Sequence, residues 1–67
     1  MTKDEALMEV HRTACAFLRA TQADPPDQAG LERLQGEAAL AMRRARRFGW
    51  TQDQLLATRL NAAEAVK

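Results

Sequence analysis

His11 and Cys15 are the one histidine and the one cysteine of the chain, and they stand four residues apart. On a helix that spacing puts imidazole and thiol on one face, where they can present two metal ligands. Two ligands do not close a structural site, although a symmetric dimer would bring four. The simpler reading is a helix flank with a partly buried imidazole and a small apolar thiol. On that reading no metal and no cofactor is expected. The sequence also has no Ser-His-Asp set, no glycine-rich phosphate loop and no paired metal motif. His11 is the single side chain that would serve as a base near neutral pH. Neither an enzyme nor a small-molecule substrate is therefore expected.

Arg43, Arg44, Arg46 and Arg47 form the densest charge run. Two readings compete. The run could contact phosphates. The favoured reading, given the near-zero net charge, is that it complements the dipole at a helix C-terminus. In an antiparallel hairpin it would then lie beside Asp4, Glu5 and Glu9, which could neutralise much of it through surface pairs.

Upstream on the same helix, Leu40 points away from the expected buried stripe. Gly36 stands beside it, and Arg33, Arg43, Arg44 and Arg47 run along the same face. A glycine inside a helix costs about 1 kcal/mol relative to alanine, so Gly36 could admit the backbone of a neighbour. Arginine is enriched at interfaces and buries its stem there. Arg33, Gly36, Leu40, Arg43, Arg44 and Arg47 are therefore the expected contacts to a protein partner. Met8, Arg12 and Cys15 form a secondary patch.

Residues 45–55, Ala-Arg-Arg-Phe-Gly-Trp-Thr-Gln-Asp-Gln-Leu, carry a further pattern. It is Ala, three residues, Gly, an apolar residue, Thr, three residues, then an apolar residue. This resembles the turn of helix-turn-helix DNA-binding proteins over 11 residues of the chain. The resemblance implies a transcriptional regulator with its turn at Phe48–Thr51. Gln54, Thr58 and Asn61 would face bases, and Arg43, Arg46 and Arg47 would face phosphates. The chain departs from that pattern in two ways. The preceding helix is long, and the would-be reading helix exposes no Lys or Arg, whereas base-reading helices work inside a positive field.

These side chains must be positioned by helices. There are two Val and no Ile, and no stretch alternates apolar and polar over five residues, so strands are not expected. Thr2-Lys3-Asp4-Glu5 reads as a capping box. Beyond it Leu7, Val10, His11, Ala14, Phe17, Leu18 and Thr21 fall on one stripe at about 100° per residue. Met8 and Cys15 widen that stripe. Ala23-Asp24-Pro25-Pro26-Asp27 breaks the helix, with Asp24 or Asp27 capping the next. Leu31, Leu34, Ala38, Ala41, Met42, Ala45 and Phe48 form the second stripe, which stops at Gly49. Thr51-Gln52-Asp53-Gln54 is another capping box, with Trp50 and Leu55 as a hydrophobic staple. The third helix is expected to bury Leu55, Leu56, part of Arg59, Leu60, Ala63 and Val66. The predicted fold is all-α: one three-helix domain over residues 1–67, with helices near 3–22, 26–48 and 52–65. The first two make a long antiparallel hairpin, and the third is shorter.

Composition sets the scale of the core. Of 67 residues 46% are hydrophobic, but 14 of those are alanine. A core this small supplies about 3–5 kcal/mol unless a disulfide, a metal or another subunit adds to it. Cys15 alone forms no internal disulfide, which leaves a partner subunit. The formal charge is +1, without the basic excess usual in nucleic-acid-binding domains. No apolar run is long enough to span a membrane, and the charged start does not fit a signal peptide. A reducing, cytoplasmic setting is the expectation. The leading functional expectation is a small non-enzymatic interaction module. It would form homo-oligomers or dock on a larger partner as a regulator, accessory or chaperone factor, and DNA binding is the alternative.

Overall fold

The first helix is set by a local signal. Thr2 Oγ1 accepts a hydrogen bond from the Glu5 N–H at 3.1 Å, and Glu5 Oε1 accepts one from the Thr2 N–H at 3.2 Å. Two orphan donors of the first turn are thereby satisfied. In the computed structural model, which describes residues 1–66, the helices are α1 (Lys3–Thr21), α2 (Gln28–Arg47) and α3 (Gln52–Val66). There is no strand among the described residues.

α2 starts two residues later than the sequence suggests. Asp27 is its N-cap residue, and Pro25 and Pro26 stay outside. The Asp27 side chain makes no capping bond. It lies over Gly30 instead, where an added Cβ would fall 2.7 Å from Oδ2. The end of α2 is a full Schellman turn. Gly49 takes φ +99°. Its N–H donates to the Arg46 carbonyl at 3.0 Å, and the Trp50 N–H donates to that of Ala45 at 3.1 Å. α3 then opens on its expected capping box. The Gln54 N–H donates to Thr51 Oγ1 at 3.2 Å, and the Thr51 N–H donates to Gln54 Oε1 at 2.9 Å.

α1 is the middle element. α2 and α3 each pack along it and have little contact with each other. Ala6, Val10, Ala41, Ala45 and Leu55 form one core cluster, with Leu7, Met42 and Trp50 packed against it. Ala14, Cys15 and Ala62 form a second, covered by Val66. Leu55 and Val10 are the largest fully buried side chains. Alanine supplies most of the remainder, and its small side chain lets the helices approach closely.

A middle helix needs two buried stripes, and this changes which residues of α1 are inside. Ala6 and Thr13 are buried, although neither belongs to the predicted stripe, whereas Met8 and Thr21 are exposed. The buried Thr13 hydroxyl donates to the Glu9 carbonyl at 2.8 Å, so its burial leaves no donor unsatisfied.

α3 is rotated relative to the sequence expectation. It buries Leu55, Thr58 and Ala62, at i, i+3 and i+7, against α1. Leu56 and Leu60, expected inside, are 44% and 68% exposed. The reason is that α3 has one neighbour along its length. A stripe with small residues at 58 and 62 fits close to α1, and the Thr58 hydroxyl donates to the Gln54 carbonyl at 2.9 Å. The leucine-bearing face turns toward α2, which does not reach it. Phe48 is also outside. Trp50, which follows the Gly49 stop and from the sequence could cover Ala45, packs against the core cluster that contains it.

Candidate functional site

Because α2 and α3 diverge over α1, an apolar groove of about 590 Å³ opens between them. Val10, Ala14, Phe17 and Leu18 of α1 make the floor. Gln35, Ala38, Ala39 and Met42 of α2 make one wall, and Leu56, Arg59, Leu60 and Ala63 of α3 make the other. One wall sets Ala38 and Ala39 between the longer Gln35 and Met42. The other carries Leu56 and Leu60, one helical turn apart, as a ridge. Apart from Arg59 and Gln35 the lining is apolar, so water in the groove finds few partners.

A smaller depression of about 360 Å³ lies over the α1–α3 seam, lined by Asp4, Leu7, Met8, His11, Thr58 and Asn61. Beside it Cys15 Sγ lies 3.7 Å from His11 Nδ1 and 3.9 Å from the Ala62 carbonyl oxygen. Cys15 is buried, so Met8, Arg12 and Cys15 do not make the common surface patch expected of them. No three His, Cys, Asp or Glu side chains gather into a ligand set among the described residues.

The arginines of α2 are outside. Arg33, Arg43, Arg44, Arg46 and Arg47 are all exposed, as are Gly36 and Leu40. The expected neutralisation by Asp4, Glu5 and Glu9 does not take place through ion pairs. Among the described residues the ion pair formed is Glu9–Arg12, at 2.6 Å. Arg12 also donates from Nε to Glu9 Oε1 at 3.0 Å. That hydrogen bond holds the Glu9 carboxyl below the usual range, with Arg44 adding a weaker pull from a distance. Glu5 is committed to its capping box, and the Arg46 guanidinium donates to Gln52 Oε1. Glu9 and Arg12 instead satisfy each other within one turn of α1.

Of the three residues that a helix-turn-helix would place against bases, one is free. Thr58 is buried against α1, and Gln54 closes the Thr51 cap. Asn61 is exposed beside the smaller depression. α3 was expected to present Thr58 outward. It does not, because the rotation that seats Ala62 on α1 also turns Thr58 inward.

Gly36 has no atom within 4 Å of the place where a Cβ would be. Nothing inside the molecule requires a glycine there. Gly36→Ala is expected to raise stability by about 0.5–1 kcal/mol through helix propensity alone, read as a higher urea midpoint. A lower midpoint would show that some contact of the folded chain needs the bare backbone.

No described helix is long and apolar enough to cross a membrane. Compared with protein-family models, with curated proteins and with solved structures, the chain matches none.

Proposed function

We propose that this chain is a protein-interaction module that works by docking and not by catalysis, as a regulator or accessory factor. The observation that carries the reading is the groove. A three-helix domain would normally close its third helix over the other two, covering Leu56 and Leu60 and adding to a core of alanines. Here that apolar face is left open, with a floor of Phe17, Leu18 and Val10 beneath it. Leaving such area wet forgoes about 25 cal/mol per Å², so a protein surface that covers it gains that free energy on binding. The outer face of α2, with Leu40 44% exposed beside Gly36 and flanked by Arg33, Arg43, Arg44 and Arg47, offers a second contact surface.

A photo-crosslinking residue placed at Leu60, at Leu40 and at Arg19 on the outer side of α1 tests this in producing cells. A protein adduct at position 60 and none at 19 is the expected result. Adducts at 40 alone would overturn the groove as the docking site. No protein adduct at either 60 or 40 would overturn the interaction reading itself.

A further inference from the structure

The outer face of α2 is a cationic strip with an apolar centre. At 100° per residue, Arg33, Leu40 and Arg47 fall within about 40° of one another around the helix, and Gly36, Arg43 and Arg44 flank them. All six are exposed. Among the described residues none of Arg33, Arg43, Arg44 and Arg47 forms an ion pair. The helix dipole accounts for Arg44 and Arg47, in the last turn of α2. Its reach ends within about one turn, which leaves Arg33 outside it. Nothing lies within 4 Å of a Cβ added at Gly36, so the bare backbone there serves no contact inside the molecule. We propose that this strip docks an acidic helix of another protein. The carboxylates of that helix lie on Arg33, Arg43, Arg44 and Arg47, and an apolar side chain lies on Leu40, where Gly36 lets the two backbones approach. The inference rests on the docking reading above and gives a partner its chemistry.

Charge names the class of partner. The four arginines carry more positive charge than the +1 of the whole chain, so the rest of the chain is net negative. The strip is also bounded by acids. Asp27 and Glu32 lie toward its start. Along α1 it meets Glu37 and Glu9, which act on Arg12 and Arg44. At its end, the Lys3 carbonyl holds the Trp50 indole, which brings the exposed Asp4 of α1 and Asp53 of α3 to that corner. A nucleic-acid duplex carries one charge per ~1.7 Å of its axis without interruption, and it would run on across these acids. A protein segment carries carboxylates only where they are placed, so its charge can end with the strip. The centre of the strip points the same way. Leu40 and Gly36 offer apolar contact and close approach, and a phosphodiester backbone has nothing to put there. A helix can set an apolar side chain between acids three or four residues apart. From Arg33 to Arg47 the strip runs about 21 Å at 1.5 Å per residue, the length of about four turns of a partner helix. Arginine then receives each carboxylate through parallel N–H donors.

A diazirine side chain at position 40 of the full chain, photolysed in producing cells, tests the proposal, with the adduct sequenced by mass spectrometry. The expected adduct lies in a protein segment whose acids outnumber its bases within about two helical turns of the linked residue. Arg43→Gln together with Arg47→Gln is expected to lower its yield at least ~10-fold. Arg33→Gln, far from the helix end, is expected to lower it as well, and Arg19→Gln on α1 to leave it unchanged. The substituted arginines are exposed, so the variants keep the fold, which an unaltered helical circular-dichroism spectrum checks. A synthetic peptide of the linked segment is expected to bind the purified chain at least ~10-fold more weakly at about 300 mM than at about 50 mM salt, because salt screens exposed charges. An adduct to a neutral or basic segment, to another copy of this chain or to nucleic acid would overturn the acidic helix. The same holds for an adduct that survives loss of the arginines, for binding indifferent to salt, and for absence of any adduct at position 40. The docking reading stands apart from these outcomes, because a protein adduct at position 60 sustains it in each of them.

Discussion

Leu55→Ala is expected to cost about 3–4 kcal/mol, most of the ~3–5 kcal/mol that a core of this size supplies. Leu55 is fully buried where all three helices meet, against Ala6 and Val10 of α1 and Ala41 and Ala45 of α2. The neighbours decide the magnitude. A cavity among flexible methionines or leucines partly collapses. Here the alanine methyls are fixed to their helix backbones, whereas Leu7 and Met42, packed against the cluster, can move in part of the way. The cost therefore lies near the middle of the Leu→Ala range. Urea unfolding followed by helical circular dichroism should show a chain with little or no folded baseline. Leu56→Ala, one residue along and on the groove wall, should shift the midpoint by a few tenths of that amount. Equal effects at the two positions would mean that α3 is not rotated as described.

Trp50→Ala should follow at about 2–3 kcal/mol, somewhat below the value for a fully buried aromatic. The indole caps the first core cluster. Its Nε1–H donates to the Lys3 carbonyl at 2.8 Å, and Lys3 Nζ lies 4.7 Å from the ring centroid. Three contributions are lost together: apolar cover over Leu55, one hydrogen bond of about 1 kcal/mol, and a cation–π contact of about 0.5–1 kcal/mol. Trp50→Phe keeps the ring and loses the donor, and should cost about 1 kcal/mol. If Phe is as damaging as Ala, the hydrogen bond to Lys3 dominates and the packing does not. If neither matters, α1 is not held to the α2–α3 corner through this residue. The contact joins residues 47 apart and fixes the end of the molecule from which the groove opens.

The bundle was legible in the sequence because each helix end is written locally. Thr2 with Glu5, Gly49 in its left-handed turn, and Thr51 with Gln54 act within a few residues, so no tertiary knowledge is needed to read them. The boundaries accordingly agree within about two residues. The start of α2 is the exception. Two prolines and two aspartates offered more than one cap, and local rules did not choose between them.

The groove was not legible, and α3 shows why. Its apolar residues run most of the way round: Leu55, Leu56 and Leu60, with Ala57, Ala62, Ala63 and Ala65 between them. The periodicity of a helix that is apolar on more than one face does not say which face it buries. Pooling Leu55, Leu56, Leu60 and Ala63 into one stripe assumed that α3 sits between α1 and α2. The expected neutralisation of the arginine run failed for a similar reason. Proximity of helix ends can be read from a hairpin, but the direction in which Glu9 points depends on the rotation of α1.

The sequence by itself determined three helices, where they stop, a core built from alanine, and a charge balance without a basic excess. All of these follow from short-range hydrogen bonding and composition. Only the tertiary structure decided that α1 is central, that Thr58 and Ala62 are the face it buries on α3, and that Leu56 and Leu60 stand beside an open groove. Those outcomes depend on which of several apolar faces finds the closest fit. Close fit is a property of two surfaces at once, so the periodicity of either helix alone does not contain it.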